Sequence, residues 1–220
     1  MVVASVLQGL GLFLGGSTAA WAVQTVLQIV YFKCTGQPSG TSGRMAIFAL
    51  AFPYSISYVT LWHRFKFEYN EVRDCFCKYH LNAVNLATHA IGVPLMVYGW
   101  LCFLDSLSAP SLRLSVPVSL WYIVLLAKYL PVVEWLRSAT GLALLNVAAY
   151  MFPIAGYGLL LPLLNECATQ VSHDIYEPAY SSEYETKPIR EFMHSVLEHD
   201  FFLLPLCVEA VRRAVSAAKR

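Results

Sequence analysis

Two short stretches hold the side chains best able to do chemistry. The first runs from Tyr79 through His80, Asn82 and Asn85 to His89, and the second from Gln170 through Ser172, His173 and Asp174 to Glu177 and Pro178. His80 and His89 are nine residues apart. On one continuous helix that separation is about 900°, which puts them on opposite faces. They can share a ligand only if the chain breaks between them. Asn favours turns and N-caps, so one helix is expected to end near His80 and the next to begin near Asn82. His89 then sits in an early turn of the second helix, with Asn85 four residues before it on the same face as an orienting partner. Gln170, His173 and Glu177 stand at i, i+3 and i+7, one face of a helix end that Pro178 closes.

If the two stretches meet, His80, His89 and His173 converge with the Glu177 carboxylate. Imidazoles with a carboxylate and open positions form the ligand set of non-haem Fe(II) oxygenases, and zinc accepts it as well. Asn82, Asn85 and Gln170 would orient the ligands. His194 and His199 are five apart, about 140° around a helix, so one of them at most completes the site. His199 is taken as that further ligand. The competing reading makes all these groups interfacial polar side chains satisfied by water and headgroups, as His63 is expected to be. Other chemistries find no foothold. The chain has no H-E-x-x-H, no G-x-S-x-G and no desaturase-type histidine boxes. Lys128 and Glu134 are the only candidates for an ionisable path at mid-membrane depth.

The elements that must position these residues read as membrane helices. The chain is 57% hydrophobic and 13% charged, against about 25% charged in a soluble domain. Its net charge of +1 implies no nucleic-acid partner. Six cysteines, with C-x-C at Cys75 and Cys77 and no second pair, imply neither a disulfide framework nor a zinc motif. Spans are expected at 2–32, 45–62, 86–104, 114–130, 132–151 and 154–172, with kinks at Pro53 and Pro94. Gly11, Gly15 and Gly16 could form a packing face. Loops fall at 33–44 and 105–113, and the turn between the last two spans at Pro153–Gly158. Two crossings after residue 131 return His173 to the membrane face of His89. Residues 63–79 mix charge with aromatics, which suits an amphipathic helix on the headgroups, and their basic side chains assign that face to the cytosol. Residues 191–210 are too polar to face lipid and read as a re-entrant or interfacial helix. The fold expected is thus all-α: a polytopic bundle of about six spans, with residues 1–62 as an N-terminal two-helix extension and 63–220 as the site-bearing domain.

At the two polar stretches the sequence resembles a known family. His80-x-Asn82-x-x-Asn85-x-x-x-His89-x-x-Gly92-x-Pro94 is similar to the N-terminal signature of the DUF962 family, the endoplasmic-reticulum 2-hydroxy fatty acid dioxygenases typified by yeast. Gln170-x-Ser172-His173-x-x-x-Glu177 resembles its second signature, with Ser172 where the family has Gly. The resemblance covers about residues 70–210. It implies a multi-pass protein of the endoplasmic-reticulum membrane that uses Fe(II) and O2 to shorten a long-chain 2-hydroxy fatty acid by one carbon. It further implies His80, His89 and His173 as iron ligands, with Asn85 and Glu177 beside them.

Overall fold

The structure, a computed structural model, describes residues 45–61, 67–108, 113–178 and 188–218, with isolated positions before residue 35. The span expected at 2–32, the loop at 33–44 and His63 therefore lie largely or wholly outside the described residues. The described chain is helical and contains no strand. In order, α1 is Met45–Leu61, α2 Tyr69–Tyr79, α3 Ala83–Ser106, α4 Ser115–Leu126 and α5 Val132–Met151. A 3-10 turn, Ala155–Leu159, then leads into α6, Leu160–Tyr176, followed by α7, Ile189–Phe201, and α8, Leu203–Ala218.

Helix α3 is the axis of the bundle, and α5, α6, α8 and the 3-10 turn all pack on it. Its 24 residues extend about 36 Å at 1.5 Å per residue. Glycine sets its closest contact. A Cβ added at Gly99 would lie 2.3 Å from the Gly158 carbonyl oxygen, and one at Gly158 would lie 2.2 Å from that of Gly99. The two backbones touch, which is how small residues let apolar helices approach. Pro94 runs inside the helix and has no N–H to offer the Ala90 carbonyl. The Cys207 thiol of α8 approaches that carbonyl at 3.9 Å.

An aromatic core closes the bundle at the α1–α7 side. Tyr122 of α4 is fully buried and donates its hydroxyl to the Phe201 carbonyl at 2.6 Å. Phe67, just before α2, packs against Phe201 and Phe202. Phe52, Ile56 and Val59 of α1 belong to the same core, so α1 is built into the domain that carries the two polar stretches.

Several boundaries differ from the sequence expectation. The helix expected over 63–79 begins at Tyr69 and buries Tyr69, Val72 and Phe76 on one face. The span expected at 114–130 is a helix of 12 residues, about 18 Å long and short of a bilayer core of about 30 Å. The segment 191–210 is two helices, because the chain turns at Phe202. Helices at Val132–Met151 and from Leu160, joined through Pro153–Gly158, match the expected pair as helices. Among the described residues, α3 alone is long and apolar enough to cross a bilayer, and 56% of its apolar window is buried within the bundle.

The Gly99–Gly158 contact yields a test. Gly99→Ala and Gly158→Ala must each push the 3-10 turn off α3, and overpacking of this kind costs about 1–3 kcal/mol. Gly141→Ala meets open space and should be neutral or slightly stabilising. Thermal unfolding of the three variants in detergent checks the contrast.

Candidate metal centre

The break expected between His80 and Asn82 is present, and its construction explains the site. Helix α2 ends at Tyr79, with His80 as its C-cap at φ −89° and ψ 74°. Asn82 is the N-cap of α3, and its side chain accepts the Val84 N–H at 2.8 Å. The reversal leaves the backbone N–H groups of Leu81 and Asn82 pointing out of both helices. Glu177, the C-cap of α6, takes both: its Oε1 accepts from Leu81 at 2.8 Å and from Asn82 at 3.1 Å. One carboxylate therefore ties the second polar stretch to the first across 95 residues of chain.

The three imidazoles meet inside this tie. His80 is 0% exposed, His173 2% and His89 4%. One ligand atom from each lies within 4.8 Å of the other two, the one such cluster of three among the described residues. Hydrogen bonds fix which nitrogens face inward. His80 Nδ1 lies 2.8 Å from the Phe76 carbonyl and His89 Nδ1 2.9 Å from the Asn85 carbonyl. A carbonyl only accepts, so both Nδ1 atoms carry the proton. Each ring is left with a lone pair on Nε2, and these two atoms face each other at 3.2 Å. Two ligands of one tetrahedral metal at about 2.1 Å stand about 3.4 Å apart. His173 Nδ1 lies between two partners, 3.1 Å from the Asn85 amide nitrogen and 3.3 Å from Glu177 Oε2. In the tautomer that donates Nδ1–H to the carboxylate, its Nε2 is the third lone pair. The donor set fits a divalent cation.

The supporting groups are equally placed. Asn85, 0% exposed, donates its amide to Glu177 Oε2 and accepts the Ser172 hydroxyl on Oδ1 at 2.7 Å. Phe76 stacks on His80, ring centroids 3.8 Å apart. Burial first, and then the His89, His173 and His199 rings, hold the His80 imidazole well below its ordinary range. It is therefore neutral at neutral pH, the form that binds metal. Burial raises Glu177, but the His173 hydrogen bond and the two backbone N–H groups outweigh it, and its pKa falls below the ordinary carboxylate range. Glu177 is thus ionised and supplies the negative charge that a dication between neutral imidazoles lacks.

The structure brings together His80, His89, His173, Asn85 and Glu177. It does not place His199 among the convergent ligand atoms. That ring projects from α7 beside the triad, 6.3 Å from Phe76, and lines a separate cavity with His89 and His173. His194 packs against Phe67 instead, 5.5 Å between centroids. Gln170 turns to Asp174 at 3.4 Å, and Asn82 caps its helix. Ser172 and Phe76 are the functional residues that spacing did not reveal. Phe76 stands four residues before His80, the right interval for a face-sharing partner. Ser172 was legible only as a variation within the resemblance, and here it sets the Asn85 amide. An open cavity of about 480 Å³ leads to Glu177 from outside, lined by Lys78, Tyr79, Leu81, Asn82, Tyr176 and Pro178.

Comparison of the chain with protein-family models, with curated proteins and with solved structures yields no match.

The geometry sets a graded response of metal binding. His80→Ala, His89→Ala and His173→Ala should each abolish Fe(II) binding measured anaerobically by calorimetry. Asn85→Ala, Glu177→Gln and Ser172→Ala act through orientation and should weaken it about 10–100-fold, Ser172→Ala least. Full binding by His173→Ala would separate the two polar stretches.

Proposed function

We propose that this chain is a membrane-embedded, Fe(II)-dependent dioxygenase that shortens long-chain 2-hydroxy fatty acids by one carbon. The observation that carries the reading is the pair of Nε2 lone pairs facing each other at 3.2 Å inside a buried three-imidazole cluster. Lone pairs so close repel unless a cation or proton lies between them. A site of three imidazoles leaves coordination positions open for a chelating substrate and O2, the arrangement suited to non-haem iron oxygenases. The resemblance of both signatures to the 2-hydroxy fatty acid dioxygenases supplies the substrate and the endoplasmic-reticulum membrane.

The bilayer reading has its own support. Large apolar side chains stay exposed on several helices: Ile91 on α3, Leu120 on α4, Leu144 on α5 and Leu164 on α6, each more than 60% exposed. An apolar surface spread over this many helices suits lipid contact. About six spans are proposed, counting the segment at 2–32, with the short helices tilted or the bilayer thinned around them. Arg73, Lys78, Arg212 and Arg213 belong to α2 and α8, where Arg213 donates to the Cys77 carbonyl. They support placing that end at the cytosolic face.

The protein's part in the reaction follows from its own groups. The open cavity admits the head of the substrate beside Lys78, whose ammonium suits a carboxylate, while the acyl chain lies along the lipid-facing helices. Bound Fe(II) would supply O2 activation and chelation of the hydroxyl and carboxylate. Glu177 and Asn85 keep the imidazoles turned inward, and the low pKa of His80 keeps its lone pair available. Atom and electron balance makes the overall change a hydroxy acid plus O2 giving the shortened acid, CO2 and water.

Anaerobic Fe(II) loading followed by 2-hydroxypalmitate and O2 tests the reading. The expected product is the fatty acid one carbon shorter, formed with consumption of one O2 per substrate and lost in His89→Ala. A protein that takes up no iron, with a melting temperature indifferent to Fe(II), would instead be a lipid-binding scaffold.

A further inference from the structure

His89 and His173 also line a second, small cavity of about 30 Å³. Glu166 and Thr169, on the same face of α6 as His173, and Asp200 of α7 line it with them. That volume holds one or two atoms of ligand the size of water. Its polar lining is one-sided. Asp200 is 2% exposed, and its Oδ2 has no hydrogen-bond partner. Asn165, 6% exposed, also lines the cavity, but its amide nitrogen turns to the Met96 sulfur and its Oδ1 packs against Gly92 of α3. The Thr169 hydroxyl, like Asp200 Oδ2, is unpartnered. The Gln170 amide donates away, to Asp174. Among the described residues no Lys or Arg lines the cavity.

A wall of two carboxylates and unpaired oxygen acceptors favours a positively charged occupant. A single water offers two protons and satisfies two acceptors at most. A cation satisfies every oxygen at once and offsets the charge. Carboxylate, amide and hydroxyl oxygens suit a hard or borderline divalent ion.

We propose that this cavity is a second divalent-cation site, with Glu166 and Asp200 as carboxylate ligands, the Thr169 hydroxyl as a neutral ligand and His199 at its rim. The ligand atoms are less tightly converged than those of the triad, so the carboxylates turn inward as the ion binds. The site also gives a place to His199, which the triad does not use. It goes beyond the three-histidine reading and does not require it.

Counting bound ions tests the proposal. The full-length chain, purified in detergent and stripped of metal, is titrated with Co(II), which accepts both imidazole and carboxylate ligands. Bound cobalt is measured per chain. The wild type should bind two ions. Asp200→Asn and Glu166→Gln, nearly isosteric, should each bind one, with unchanged helical circular dichroism. His80→Ala should also lose one, and that one is a different ion: its loss removes the imidazole-type visible absorption, which both carboxylate variants keep. One ion in the wild type overturns the second site, and so do two ions that survive both carboxylate substitutions. A single wild-type ion abolished by His80→Ala leaves the triad standing while the second site falls. Two ions untouched by His80→Ala, one of them lost in Asp200→Asn, uphold the second site while the triad falls. If a variant does not fold, the wild-type stoichiometry still decides.

Discussion

Three buried imidazoles whose ligand atoms lie within 4.8 Å of one another form an arrangement the protein must hold in place. His80 and His89 present Nε2 to Nε2 at 3.2 Å, and neither can turn away, because each ring's other nitrogen is engaged by a backbone carbonyl. Every nearby feature serves that constraint. The chain breaks at 80–82 so that residues nine apart can face each other. Glu177 captures the N–H groups that the break exposes and uses its other oxygen to hold Asn85 and His173. Ser172 then fixes the Asn85 amide from the far side. The site is a circuit of hydrogen bonds between two helix ends, and a cation at its centre would relieve the repulsion there.

The bundle delivers those helix ends to one place. Helices α3 and α6 carry His89 and His173, and their registry follows from the backbone contact at Gly99 and Gly158, about ten residues from the site along α3 and fifteen along α6. Helix α7 closes the back with His199 and Asp200, and its turn at Phe202 lets α8 fold onto α3. The three-imidazole site and the small cavity share His89 and His173, so a charge in one bears on the other.

Much of the site was legible in the sequence. A nine-residue interval between histidines, with Asn82 and Asn85 inside it, required a break and a cap, and both are present. The i, i+3, i+7 pattern from Gln170 to Glu177 correctly joined His173 to Glu177, but Gln170 turns to Asp174 rather than to the imidazoles. Periodicity cannot foresee such a choice, because it depends on which acceptor is nearer in three dimensions. His199 is a similar case: its spacing from His194 excluded a shared face but said nothing of its distance from His80. The all-helical class was legible from composition, and Val132–Met151 from its flanking prolines. The length of α4 was not, since an apolar run continues past Leu126 while the backbone turns. The split at Phe202 has its signal in Pro205, which stands in the first turn of α8 and has no N–H to offer the Phe201 carbonyl, and aromatic packing around Phe201 and Phe202 adds to it.

The central claim is that His80, His89 and His173 bind one cation through three imidazole nitrogens. X-ray absorption of the Fe(II)-loaded protein measures this directly. The account predicts three imidazole ligands with Fe–N distances of about 2.1 Å, falling to two in His173→Ala if any iron is retained. A shell made only of oxygen ligands, or a spectrum unchanged by His173→Ala, would contradict it.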